Sequence, residues 1–143
     1  MAAMNGYRYA RAQDVAFRDL DGLRVVNNAV YLTYIETARL GYMVEVLGIR
    51  SLDEIGVIVA KVDIDFRSPA RLLETLEVGA RVPRLGTRSV HMEHEVRGAD
   101  GRLVAEAATV LVSFDYEQGV PVPVPDGWRE RIETYEAQAA ARA

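Results

Sequence analysis

Between Asn28 and Gly48 the apolar side chains Tyr31, Tyr34, Ile35, Ala38, Tyr42 and Val46 recur with a helical period, and beyond Gly56 apolar residues recur at every second position. The first spacing is that of a helix burying one stripe, about 20 residues and about 30 Å long. The second is that of strands with one buried face. A single long helix must therefore serve a whole sheet. Asn27 or Asn28 can cap its start and Gly48 can end it. Gly41, inside the helix, costs about 1 kcal/mol relative to alanine, which implies close packing at that point.

The strands follow from the same reading. Tyr7 to Phe17 alternates loosely and predicts a first strand. Ser51-Leu52-Asp53-Glu54 has the pattern of a capping box opening one further turn. Ile58 to Phe66 alternates with Lys61, Asp63, Asp65 and Arg67 as a half-buried strand ended by Ser68-Pro69. Leu76 to Val82 repeats that pattern, and the turns Leu85-Gly86-Thr87 and Gly98-Ala99-Asp100-Gly101 bound a strand around Val90 to Val96. Leu103 to Asp115 is apolar on both faces, which places it centrally, covered on both sides. The prolines of Val120 to Pro125 impose an extended segment, followed by a short polar helix over Trp128 to Ala137 and an alanine-rich tail. The expected architecture is α+β, a five-stranded antiparallel sheet with one principal helix. One helix covers one face of such a sheet, so a second subunit is the simplest cover for the rest.

Composition bounds the chemistry. The chain has 143 residues, no cysteine, 17 basic and 21 acidic side chains and a net charge of −4. This fits one domain, 1–143, with 126–143 as its C-terminal helix and tail. The absent thiols exclude cysteine nucleophiles and the usual zinc ribbons, and the acidic balance argues against nucleic acid as a partner. Neither a signal peptide nor an apolar run of about 20 residues is present, so the expected location is cytoplasmic with no membrane association. Sixteen of the basic residues are arginine, against Lys61 alone, a skew that weakens any single arginine as an indicator of a phosphate site.

The segment from Phe17 to Leu32 is the most informative stretch for chemistry. Asp19 and Asp21 fall in the turn just before the long helix, where unpaired backbone N–H groups and the positive end of the helix dipole stabilise negative charge. A carboxylate beside such a site can attack a carbonyl or activate water while the N–H groups hold an oxyanion. Capping or bracing the turn is the plainer role for the same aspartates. His91 and His94, three apart in a strand, point to opposite faces and cannot readily share a metal. Glu36 falls about 140° from the Tyr31 stripe at roughly 100° per residue, which suits an ion pair with Arg39 or a contact across a dimer. Asp63 and Asp65 are explained as solvated charge near Lys61 and Arg67.

Asp19-x-Asp21, followed by Val26-Asn27-Asn28-Ala29-x-Tyr31-Leu32-x-Tyr34-x-Glu36-x-Ala38-Arg39, closely resembles the signature of hotdog-fold acyl-CoA thioesterases of the 4-hydroxybenzoyl-CoA thioesterase type. Phe66-Arg67-Ser68-Pro69-Ala70-Arg71 and Leu76-Glu77-Val78-Gly79 extend the likeness over nearly the whole chain. The resemblance implies a hotdog fold, with the sheet wrapped around the helix, and hydrolysis of an acyl-CoA without a metal or other cofactor. It makes Asp21 the catalytic carboxylate and Asp19 a support of the turn, and it places the carbonyl-polarising backbone N–H near Asn27 and Asn28. It implies that Arg24, Val25, Asn27, Tyr31 and Phe66 line the substrate, whose acyl group lies along the helix against Tyr31 and Tyr34. Arg84 and Arg88, with Arg67 and Arg71 as further candidates, are the implied coenzyme A contacts. A homodimer or a tetramer is the implied assembly. Carrier-protein thioesters as substrates, and acyl-thioester binding without catalysis, are the alternatives.

Two departures stand out. Arg24-Val25 replaces a Gly-His pair common in the family, and the arginine can narrow the pocket, pair with Asp19 or Asp21, or reach a substrate carboxylate. Leu72-Leu73-Glu74 replaces a Gly-Asp turn.

Overall fold

The computed structural model describes residue 4 and residues 6–142. In chain order the elements are β1 (Tyr9–Asp14), a 3₁₀ turn (Phe17–Asp19), α1 (Val30–Leu47), a second 3₁₀ turn (Leu52–Glu54), β2 (Val57–Phe66), β3 (Thr75–Leu85), β4 (Ser89–Arg97), β5 (Leu103–Asp115), β6 (Val120–Pro121) and α2 (Asp126–Arg142). All pairings are antiparallel, in the order β1-β3-β4-β5-β2, with β6 beside β5. The sheet curls round α1, the hotdog arrangement that the resemblance implies.

The helix buries the expected stripe of Tyr31, Tyr34, Ile35, Ala38, Tyr42 and Val46, each fully buried large side chain contributing about 1.5–3 kcal/mol. Its first half packs on Leu76, Val78, Val96 and Ala105. Its second half packs on Val82, Val90, Met92 and Leu111, with Ile132 of α2 closing that end. Gly41 is explained by β1: a Cβ there would lie 1.8 Å from the Tyr9 hydroxyl.

Five expectations are corrected. The first strand is shorter than Tyr7 to Phe17, because Phe17 opens a 3₁₀ turn. The helix starts at Val30, with Ala29 rather than Asn27 or Asn28 at the N-cap position. Asn27 still caps from two residues earlier: its side-chain oxygen accepts the Ala29 N–H and its carbonyl the Val30 N–H, both at 2.9 Å. No capping box forms at Ser51, whose side chain makes no cap bond; Glu54 instead accepts the Arg50 N–H at 3.1 Å. The C-terminal helix runs through the alanine-rich segment to Arg142, as alanine's high helix propensity favours. Finally, β5 is central between β4 and β2, but only one face is well covered: Ala105, Thr109, Leu111 and Ser113 are buried, whereas Ala108 on the other face is exposed.

β2 ends the sheet and is largely exposed, with Val59 and Phe66 each 46% accessible. Leu32, Leu40 and Val44 of α1 are also exposed. A free strand edge with apolar side chains near it is what further pairing would use. Among the described residues, no helix is long and apolar enough to cross a membrane.

Candidate active site

The segment between β1 and α1 is a closed loop. Leu20 bridges Val26, the Asp21 N–H donates to the Val25 carbonyl at 3.0 Å, and the Asn27 N–H donates to the Asp19 carbonyl at 2.9 Å. Val26 is buried and its N–H reaches the Ala70 carbonyl at 2.9 Å, tying the loop to the segment before β3. Within this frame Asp21 is half-buried and accepts the Leu23 N–H on Oδ1 at 2.8 Å. The Asn27 amide is spent on Asp19 and the Ala29 amide on the Asn27 side chain, whereas the Asn28 amide has no partner among the described residues. The site thus holds a carboxylate and a free N–H at a helix N-terminus, the pair needed to attack a carbonyl and hold its oxyanion.

Asp19 has the supporting place. Its Oδ2 accepts the Ala16 N–H at 2.9 Å and the Tyr34 hydroxyl at 2.6 Å. Tyr34 is therefore committed to the loop and, at 2% exposure, offers little surface to a substrate; nothing in the helical spacing distinguished it from its core neighbours. Tyr31 is equally buried and packs on Phe66 of β2 with ring centroids 5.6 Å apart, so these two candidate acyl contacts meet within one chain.

Arg24 is exposed and makes no ion pair among the described residues. It adopts a left-handed conformation with φ 65°, as does Leu73 at 66°. Both departures from the family pattern replace glycine-bearing turns, and both fall where glycine is the unstrained choice. Val25 beside it is half-buried and Asn27 exposed.

Arg84 and Arg88 are exposed in and beside the β3–β4 turn. The Arg84 guanidinium lies 3.2 Å from the His91 ring, and Arg88 has no ion pair among the described residues. Their hairpin adjoins the C-terminal half of α1, whereas Asp21 and Asn28 precede its start, so one chain does not bring them together. Arg67 pairs with Glu106 at 2.6 Å and with Asp65 at 3.7 Å. Arg71 is exposed, and its backbone N–H binds Glu74. Glu36 reaches Arg39 at 3.9 Å and Asp63 reaches Lys61 at 3.2 Å. His91 and His94 lie on opposite faces of β4; His94 is 1% exposed, with Nε2 3.2 Å from the Thr109 hydroxyl.

Residues 15–132 match the family described as the thioesterase-like superfamily. A thioesterase from Thermus thermophilus, solved in complex with coenzyme A and zinc, is similar at 39% identity over 94% of this chain and 98% of its own, with TM-score 0.86. A protein from Pseudomonas aeruginosa shares 26% identity over 90% of this chain and 92% of its own, TM-score 0.80. A 1,4-dihydroxy-2-naphthoyl-CoA thioesterase from Synechocystis, at 23% identity over 87% and 94% with TM-score 0.78, shares the fold. No curated protein gives a significant match.

Proposed function

The chain belongs to the thioesterase-like superfamily, and from that premise we propose that it hydrolyses an acyl-coenzyme A to the free acid and coenzyme A, with Asp21 as the catalytic carboxylate. The observation that carries this reading is the loop before α1, where Asp21 and the unpartnered Asn28 amide flank one hydrogen-bonded closure. The coenzyme A bound to the Thermus relative supports the substrate class.

The thioester carbonyl oxygen accepts the Asn28 N–H, and charge develops on it as the carbonyl carbon becomes tetrahedral. Asp21 either attacks that carbon, expelling the coenzyme A thiolate and leaving a mixed anhydride that water cleaves, or takes the proton of a water that attacks instead. The acyl group lies along α1 toward Tyr31 and Phe66. Arg84 and Arg88 receive the coenzyme phosphates from a second copy of the chain, in a homodimer formed through β2 and the exposed stripe Leu32, Leu40 and Val44 of α1. The separation of the arginines from Asp21 within one chain, and the unpaired edge of β2, support this assembly.

A panel of acyl-coenzyme A esters assayed with the wild type and Asp21→Asn tests the reading. The expected result is turnover of at least one ester and a loss of kcat of about 10²–10⁴-fold in the variant, the usual range for a positioned acid or base. Stabilisation by esters without turnover would overturn the enzymatic reading, and a wild-type rate in Asp21→Asn would overturn the role of the aspartate.

A further inference from the structure

Tyr34 sits in the second turn of α1, 2% exposed, with the Tyr31 ring edge-on to it at a centroid distance of 5.9 Å. Its hydroxyl donates to Asp19 Oδ2 at 2.6 Å, and the same oxygen accepts the Ala16 N–H at 2.9 Å. The Asp19 carbonyl in turn accepts the Asn27 N–H at 2.9 Å, one residue before the free amide of Asn28 and next to the Leu20–Val26 bridge that frames Asp21. One residue therefore joins three pieces of chain: the Asp19 carboxylate ties the segment just after β1 to the body of α1, and its backbone carbonyl holds the loop that carries the chemistry. A short charge-assisted bond of this kind is roughly twice as strong as a neutral one.

We propose that Tyr34 is a positioning residue, which through Asp19 holds the Leu20–Val26 loop in the arrangement that presents Asp21 and the Asn28 amide to the thioester. The inference rests on the activity proposed above. Burial, followed by the Asp19 carboxylate, raises the Tyr34 phenol well above its ordinary value, so the hydroxyl keeps its proton and remains the donor throughout the working range. Near-attack geometry tolerates little displacement, and a misplacement of about 1 Å costs on the order of 10²-fold in rate. The hydroxyl alone makes the bond, so Tyr34→Phe removes it and keeps the buried ring.

The test compares wild type, Tyr34→Phe, Asp19→Asn, the double variant and Asp21→Asn, following kcat and KM on a hydrolysed acyl-coenzyme A and amide exchange across residues 16–28. In Tyr34→Phe the expected kcat falls about tenfold or more with KM within about twofold, exchange quickens in the loop but not in the sheet, and the double variant is no slower than the slower single. A kcat within about twofold of wild type, or unchanged loop exchange, overturns the positioning role. So does faster exchange spread through α1 and the sheet with kcat retained, the behaviour of a core tyrosine that merely stabilises. Normal turnover by Tyr34→Phe beside an inactive Asp21→Asn overturns this inference and leaves the activity standing. Wild-type turnover by Asp21→Asn overturns both.

Discussion

His94 illustrates how one buried side chain gives the fold a pH dependence. Burial, and then the nearby positive charge of Arg39, lower it from an ordinary 6.5 to about 4. Its Nε2 faces the Thr109 hydroxyl, while Nδ1 has no hydrogen-bond partner among the described residues; the Gly79 backbone, the smallest of the three influences, opposes the shift. A histidine lowered in the folded state is protonated first in the unfolded chain. Its stabilising contribution is therefore complete above pH 6.5 and declines as pH falls toward 4. The difference corresponds to about 3 kcal/mol at most. Urea unfolding at a series of pH values should show stability falling through this window, with a flatter profile in His94→Gln; a profile identical to wild type would place the titration elsewhere. At this scale the sequence was informative where structure is local: the place of Asp19 and Asp21 in the turn before the helix was legible from spacing, while the role proposed for Asp21 came from the family resemblance. The bond from Tyr34 was not, because it joins residues that helical periodicity treats as unrelated.

Among elements, α1 is the axis and its contacts are set by shape. Gly41 admits the Tyr9 ring so closely that a Cβ would lie 1.8 Å from its hydroxyl and 2.8 Å from Cζ. Alanine would gain about 1 kcal/mol of helix propensity, but displacing a packed ring costs about 1–3 kcal/mol. Gly41→Ala should therefore lower the urea midpoint at unchanged m-value, and adding Tyr9→Phe should recover part of the loss. A raised midpoint in Gly41→Ala would show that β1 yields easily. The need for close packing at Gly41 was readable from a glycine inside a helix; its partner was not. α2 carries more than its polar sequence suggested. Glu136 accepts the Tyr42 hydroxyl at 2.6 Å and the Val82 N–H at 2.9 Å, where the β3–β4 register shifts. Arg131 reaches the Leu47 carbonyl at 3.0 Å, at the end of α1. These are tertiary uses of side chains that a helical pattern marks only as exposed.

At the scale of the whole molecule the question is how, on the proposed reading, Asp21 and the β3–β4 arginines serve one substrate. In the proposed dimer each site takes Asp21 from one subunit and Arg84 with Arg88 from the other. Two inactive variants, Asp21→Asn and Arg84→Ala/Arg88→Ala, should then complement after mixed refolding. Random pairing makes half the dimers mixed, each with one intact site, so about a quarter of wild-type activity is expected. No recovery in confirmed mixed dimers would show that the arginines act within their own subunit or not at all. Light scattering of the separate variants should show dimers in each case.

The sequence by itself determined the order and kind of the elements, the buried stripe of α1, the turns, and the position of Asp21 before a helix. All of these are written in spacings of a few residues, through periodicity and the special backbone of glycine, proline and asparagine. Only the tertiary structure decided that the Asn28 amide has no partner among the described residues while Asn27 spends its own, that Tyr34 holds Asp19, that Arg24 and Leu73 occupy left-handed positions, and that α2 closes one end of the core. The physical reason is that hydrogen-bond satisfaction and packing are settled among groups brought together from distant parts of the chain, and a local pattern records which face a residue occupies but not which partner it meets there.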